Sequence, residues 1–342
     1  MTVSAPETIS AIAVHPVPVP TAAAAHVDVS VVIVTWNSEG WIEQCLRSIG
    51  PASLDRSFEV IIQDNASADG TLEIATSLQD EAVTVLKASR NHGFAGGINR
   101  AAAQARGDYV FLLNPDCELA PGALAHLVEY LEAHHDVAAV APLLYDEQGN
   151  PQREFQLRRL PTLGSLVAEI LLIKDMFPEN RISARYRYRD LDITVPQAIE
   201  QPAGAALLMR RRVLEHVGPF DEGFSPAWFE DVDYCKRLAA HGHAIHLVPS
   251  ATATHFGGAS LEHVRYEDFL SVWYRNLFRY AGKWMRRGEV ETLRWTIILG
   301  MLLRSAATIG GLGNRRMRGA SVRSYLRIAR QAFDRWEADR AA

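Results

Sequence analysis

Cysteine is scarce in this chain: Cys45, Cys117 and Cys235 are the only three in 342 residues. An odd number of widely separated thiols excludes a disulfide framework and a thiolate metal cluster, and makes a reducing compartment the default. Lysine and arginine are absent from Met1–His26, which is rich in Ala, Val and Pro. With no basic start and with Pro breaking every apolar run, this is a poor signal peptide and reads as a disordered leader over residues 1–27. No apolar run reaches the roughly 20 residues needed to span a bilayer. The most apolar window, Trp295–Leu303, is bracketed by Arg294 and Arg304 and leaves an interfacial helix open. GxGxxG and GxxxxGK[ST] are missing too, so neither a dinucleotide site nor a P-loop is supported.

What is present is ordinary in bulk: 48% hydrophobic and 22% charged residues, in a chain long enough to bury a full core. The net charge of -5 hides an asymmetry. Gly282–Ala342 carries 13 Lys/Arg against 5 Asp/Glu, a balance of +8, which leaves -13 for the rest. Such a tail suits an anionic surface, or is simply a solvated basic helix. No recognisable nucleic-acid-binding module accompanies it.

Runs rich in β-branched and aromatic residues predict strands at Val27–Thr35, Phe58–Gln63, Val83–Leu86 and Tyr109–Leu113, and the apolar run Val137–Leu144 reads as another. Helical spacing predicts helices through Trp41–Ile49, ended by Gly50-Pro51, from Thr71, over Ile98–Ala105, and through Leu124–Leu131. This alternation indicates an α/β fold, a doubly wound, mostly parallel sheet flanked by helices. Three strands end in polar residues: Thr35/Asn37, Asp64/Asn65 and Asn114/Asp116. Asn91–Asn99 (NHGFAGGIN) reads as a Gly-rich bend. Helix caps account for any one of these ends, but all three with the bend point to a nucleotide lying across the sheet edge. Asp116 either holds a divalent cation against a diphosphate or caps the helix that starts near Pro121.

Tyr145–Pro196 breaks the pattern and is either an acceptor-binding insertion or a surface excursion. Pro202–Met209 then reads as a strand, with a short helix through Val217. Trp228-Phe229-Glu230-Asp231-Val232-Asp233 sets two aromatics before three acids at a helix start. Acids there serve the helix dipole, or form a shielded carboxylate of raised basicity. A strand follows at His243–Pro249 and an extended segment at Thr252–His255, and a lone His after a strand is more often structural than a ligand. From Tyr266 the chain reads as helices, the first with an aromatic face at Phe269, Trp273 and Tyr280.

Six ordered motifs over Val29–Gly258 carry a family resemblance: VVIVTWNSEGWIEQCLRSI, VIIQDNASADGT, NHGFAGGINRA, GDYVFLLNPDCEL, GAALLMRRRVLEHVGPFDEGF and WFEDVDYCKRLAAHGHAIHLVP. The chain resembles the family 2 glycosyltransferases, which have the GT-A fold. The resemblance implies a glycosyltransferase domain over residues 28–260, with an acceptor-side insertion at 144–200 and a basic helical extension at 261–342. It implies that Thr35, Asn37, Asp64 and Asn65 hold the nucleoside, and that Asn91, Gly93 and Asn99 approach the ribose and diphosphate. Asn114-Pro115-Asp116 takes the place of the family's Asp-x-Asp. With Asn first, Asp116 is the firm ligand to Mg²⁺ or Mn²⁺, completed by His255. Asp231 matches the catalytic base, Glu230 its neighbour, and Trp228 and Phe229 the acceptor site.

The implied reaction is inverting transfer from a dTDP- or UDP-sugar to a glycan or polyprenyl-linked glycan, in cell-envelope polysaccharide synthesis. Rhamnose from dTDP-rhamnose is preferred over galactofuranose or another hexose, by family-level analogy. A nucleotidyltransferase and a non-catalytic sugar-binding subunit are the competing readings. The expected setting is cytoplasmic, peripheral on the inner face of an anionic membrane, with no nucleic-acid partner and with a homodimer left open.

Overall fold

A computed structural model of the chain describes residues 26–79, 82–177, 179–257, 264–311 and 318–334. The expected leader, except its last two residues, lies outside them, as do Gly258 and the chain after Asp334. Strand β1 (Val29–Thr35) leads through α1 (Ile42–Ser53) to β2 (Phe58–Asp64), and α2 (Thr71–Ser77) leads to β3 (Val83–Lys87). Helix α3 (Gly93–Ala102) returns the chain to β4 (Tyr109–Leu113) and the short β5 (Cys117–Leu119). Next come α4 (Ala123–Ala133) and β6 (Val137–Tyr145). A mostly helical excursion follows: α5 (Arg153–Gln156), β7 (Leu157–Arg158), α6 (Leu163–Ile170), α7 (Ile173–Met176) and α8 (Arg181–Tyr186). After β8 (Gln197–Ile199) and β9 (Gln201–Pro202), the chain re-enters the sheet as β10 (Ala206–Arg210). Helices α9 (Arg211–Val217) and α10 (Glu230–Ala240) precede β11 (Ala244–His255). Helices α11 (Tyr266–Trp284), α12 (Arg287–Ile309) and α13 (Arg318–Phe333) follow.

The main sheet runs β3-β2-β1-β4-β10-β6-β11-β5, with β8 also on β11. Pairings β1–β2, β1–β4, β2–β3 and β6–β11 are parallel. The reversed strands are β10, β5 and β8, so the sheet is mostly parallel. Every residue of β1 and β2 is buried, as expected of strands covered on both faces. The sheet's core lies in two layers, one under α1 and α4, the other under α3 and α10, and a further core joins α6 to α11, α12 and α13.

Three expectations change. Gly50-Pro51 does not stop α1, which continues to Ser53 with Pro51 inside its last turn. The missing N–H there forfeits only one bond near an end that already frays. The Gly-rich segment is not a bend before a helix: Gly93, Gly96 and Gly97 are in α3 itself. A Cβ on Gly97 would come within 2.5 Å of Val34 Cγ1, so small residues let the helix lie against β1. The strand and the separate extended segment expected near residues 243–255 are one strand, β11, whose register slips between Val248 and Thr252. Pro249 lies in that interval and cannot donate to the ladder.

Register then sets which candidate residues are neighbours. Thr35 stands beside Asp64 across β1–β2. His255 stands beside Cys117 across β11–β5. Ala206 stands opposite Leu113 across β10–β4, which brings Ala205 O to accept from Asn114 N at 2.8 Å.

Candidate active site

At the ends of β1 and β2, the buried Asp64 carboxylate organises two loops. It accepts from Thr35 Oγ1 at 3.0 Å, and from Ser67 Oγ at 2.5 Å and Ser67 N at 3.1 Å. Asn37 joins the same pair of loops: its Oδ1 accepts from Ala68 N at 2.8 Å and its N–H donates to Ser67 Oγ at 3.0 Å. Asn65 Nδ2 donates to Gly93 O at 3.0 Å, while its buried Oδ1 has no partner. Asn91 Oδ1 accepts from Gly93 N at 2.7 Å and shapes the turn into α3. Asn99 is further off. Its amide exchanges bonds with the Phe220 backbone, donating at 2.9 Å and accepting at 2.8 Å. It therefore pins the segment before Trp228.

Past β4, Asp116 and His255 are both buried, with His255 Nε2 3.6 Å from Asp116 Oδ1. Gln152 sets the ring's tautomer. Its Nε2 donates to His255 O at 2.7 Å, so its Oε1 accepts at 2.9 Å from His255 Nδ1, which carries the proton. Nε2 is left with a lone pair facing a carboxylate oxygen at 3.6 Å. Burial also disfavours the imidazolium and lowers His255 below the usual histidine range, although Asp116 pulls the other way. Two buried acceptors in this relation suit a shared cation. Cys117 lies close to both but is a poorer ligand. Its thiol donates to Ala205 O at 3.5 Å, and burial, then Asp116, push its pKa well up. Asn114 Oδ1 is also buried without a partner.

The acid pair opens α10. Asp231 is half-buried and accepts from Gly204 N at 3.1 Å and Val232 N at 2.8 Å. Burial raises its pKa above the usual carboxylate range, opposed by those two N–H groups and by Arg158. Glu230 is buried, its Oε2 unpartnered, and is raised well above its usual range by burial and then by Asp231. The two carboxyls are therefore differentiated: Glu230 favours its proton, while Asp231 is an ionisable acceptor of raised basicity.

What aims this pair is α11. Trp228 and Phe229 both have φ of 74°, left-handed for bulky residues. Fully buried Asn276 donates from Nδ2 to Ala227 O at 2.8 Å and Trp228 O at 3.0 Å. Trp228 packs edge-on to Phe269 at 4.8 Å between centroids, and Phe229 on Trp273 at 5.3 Å. One turn into α10, fully buried Asp233 accepts from Trp284 Nε1 at 2.7 Å and from Lys283 Nζ at 2.9 Å.

Sequence reasoning named the acids, the polar strand ends and His255, but gave no role at the site to Gln152, Gly204, Asn276 or Lys283. The first of these lies 103 residues from its histidine, and no spacing signal connects such pairs. A cavity of about 310 Å³ lined by His135, Asp136, Arg210, Arg212, His216 and His243 lies elsewhere. It sits at the start of β6 and the end of β10, away from these residues.

With this geometry in hand, comparison with known proteins is specific. The model of the family described as Glycosyl transferase family 2 matches residues 30–218, more than half of the chain. The chain is 28% identical, over 293 residues, to the N-acetylglucosaminyl-diphospho-decaprenol L-rhamnosyltransferase of Mycobacterium tuberculosis; the match covers 80% of this chain and 91% of that protein. It is 25% identical to the rhamnosyltransferase WbbL of Escherichia coli K12, over 75% of this chain and 93% of WbbL. A solved structure of GalNAc-T7 with UDP, GalNAc and Mn²⁺ shares the fold, with a TM-score of 0.53 at 18% identity. That likeness covers 92% of this chain and 58% of the other.

Proposed function

The chain belongs to glycosyl transferase family 2, and we propose that it transfers a sugar, with inversion, from a nucleotide-diphosphate donor to a hydroxyl of a lipid-linked glycan. Rhamnose from dTDP-rhamnose is the preferred donor. Two relatives covered over most of their length carry rhamnosyltransferase names, and one of these names a decaprenyl-diphosphate acceptor. A UDP-hexose is the alternative.

The observation that carries this reading is the placement of Asp231. Its carboxylate is fixed by the Gly204 and Val232 N–H groups, just past the strand end where Asn114 meets Ala205. Held there, Asp231 takes the proton from the acceptor hydroxyl as that oxygen attacks the anomeric carbon, on the face opposite the leaving diphosphate. Glu230, protonated, donates to the acceptor without adding a second negative charge. Thr35, Asn37, Asp64 and Asn65 frame the nucleoside pocket, and Asn91 and Gly93 the turn beside it. Asp116 and His255 Nε2 would hold Mg²⁺ or Mn²⁺, which when bound neutralises charge on the leaving diphosphate. The buried lone pair facing a buried carboxylate fits that assignment.

The test is calorimetric binding of dTDP and UDP with and without Mn²⁺, followed by transfer assays on Asp231→Asn. The variant should bind nucleotide like the wild type and lose about 10²–10⁴-fold in turnover, the usual worth of a general base. Near-normal turnover would remove Asp231 from the role. Product of retained anomeric configuration would remove the single displacement.

A further inference from the structure

We propose that α12 and α13 form a docking face that seats on an anionic bilayer surface, lying in its interface rather than crossing it. Helix α12 has two apolar faces. One, with Leu293, Ile297 and Met301, is buried in the helical core. The other carries Trp295, Leu299, Leu302, Leu303 and Ile309, between 47% and 71% exposed. Their spacing places them along one side of the helix. Helix α13 adds Leu326 and Phe333, 46% and 64% exposed. The Trp295 and Phe333 rings lie 6.4 Å apart, so the two helices share one patch. A helix of a water-soluble protein normally turns charged residues outward at such positions.

Charge selects the occupant. Thr292–Phe333 contains eight Arg and no Asp, Glu or Lys. Arg323, Arg327 and Arg330 are exposed on α13, beside the apolar patch. Acids stand only at the two ends of the stripe, where Glu291 pairs with Arg294 at 3.2 Å and Asp334 with Arg330 at 3.4 Å. An apolar stripe whose other flanking charges are arginines matches the headgroup boundary of an anionic leaflet, where apolar side chains enter and guanidinium groups stay at the phosphates. Crossing is excluded for α12 by its make-up: among the described residues no helix is long and apolar enough to span a membrane.

The face is also well placed for the reaction. Helix α12 packs on α6, where a Cβ on Gly300 would come within 2.8 Å of Ile170 Cγ2, and on α11. Helix α11 holds the Trp228-Phe229 turn and Asp233. One helix thus separates the proposed membrane face from Glu230 and Asp231, which suits an acceptor whose lipid end stays in the bilayer. The purpose of the face rests on the proposed lipid-linked acceptor; its existence does not.

The experiment is sedimentation of the full chain with phosphatidylcholine vesicles, with and without phosphatidylglycerol, at low and high salt. Binding should require phosphatidylglycerol and weaken with salt. Leu299→Glu combined with Leu302→Glu should lower vesicle partitioning about tenfold or more, because two charges would have to enter the apolar boundary. Bromolipid vesicles should quench the wild type more than Trp295→Phe. Circular dichroism and nucleotide binding check that the variants are folded. Wild-type protein left in the supernatant, or sedimentation unchanged by the paired substitutions, overturns the proposal. So does a wild-type dimer that ignores vesicles and dissociates on the same substitutions, which would give the face to a second copy. Vesicle binding without sugar transfer would count against the proposed function alone. Transfer to a water-soluble acceptor without vesicle binding would count against this face alone.

Discussion

Replacing Asn276 by Ala should damage sugar transfer while leaving nucleotide binding intact, although Asn276 lies on a helix outside the sheet. Trp228 and Phe229 both sit at φ of 74°. A left-handed conformation costs an L-residue about 1–2 kcal/mol, so the turn stores roughly 2–4 kcal/mol. Against this stand the two Asn276 hydrogen bonds, at 2.8 and 3.0 Å, each contributing about 1 kcal/mol net. Two edge-on ring pairs add roughly 0.5–1.5 kcal/mol each. Restraint and strain are the same size, so removing about 2 kcal/mol lets the turn relax and carries Glu230 and Asp231 with it. If that energy appears in the barrier, turnover falls about 30-fold, since each 1.36 kcal/mol is a factor of ten. Thermal unfolding should drop by several degrees, at roughly 2–4 °C per kcal/mol. Calorimetry with dTDP or UDP should give the wild-type affinity, because the Thr35–Asp64–Ser67 network does not involve Asn276. Wild-type turnover at a lowered unfolding temperature would refute the reasoning, because the turn would then not set Asp231. Lost nucleotide binding would refute it differently, by showing damage beyond the turn.

Gln152→Leu should weaken Mn²⁺ binding to the nucleotide complex by about 10–100-fold, the usual effect of removing a partner that orients a ligating histidine; electron paramagnetic resonance titration giving unchanged affinity would reject the Nε2 assignment. Glu230→Gln should flatten the stability–pH profile. Burial and Asp231 raise the folded carboxyl, so its contribution is full below the unfolded value near 4.3 and is lost as pH rises toward the folded one. Gln has no such loss, so unfolding curves from about pH 4 upward that run parallel for both proteins would contradict the prediction. Gly97→Val should cost about 1–3 kcal/mol in denaturant unfolding, because Val34 Cγ1 and Cγ2 lie 2.5 and 2.9 Å from its Cβ position. Gly282→Ala, in α11 with nothing within 4 Å, should instead stabilise by about 0.5–1 kcal/mol.

The sequence by itself determined the layers and the cast of the site. The β-branched runs of β1 and β2 and the apolar run of β6 have no stable place except inside a covered sheet, so their strands were legible locally. Asp64, Asp116 and Asp231 were legible because each ends a strand or begins a helix, where a buried acid needs a chemical or capping reason. The stop expected at Pro51 and the bend expected at Asn91–Asn99 differ from the structure for two reasons. Pro51 falls in the last turn of α1, where its missing N–H costs little, and glycine's cost of about 1 kcal/mol in a helix is outweighed by packing α3 against Val34.

Only the tertiary structure decided how the cast is aimed. Which nitrogen of His255 holds a lone pair depends on Gln152, 103 residues away, and the pose of Asp231 depends on Gly204 and Asn276. These partners meet through strand register and helix docking, and hydrogen bonds set by register leave no period or motif in the chain. The outward face of α12 belongs to both levels. Its apolar spacing, and the absence of acids from α12 after Glu291, are written in the sequence. That the opposite face is already filled by the core, leaving this one bare, is a fact of packing.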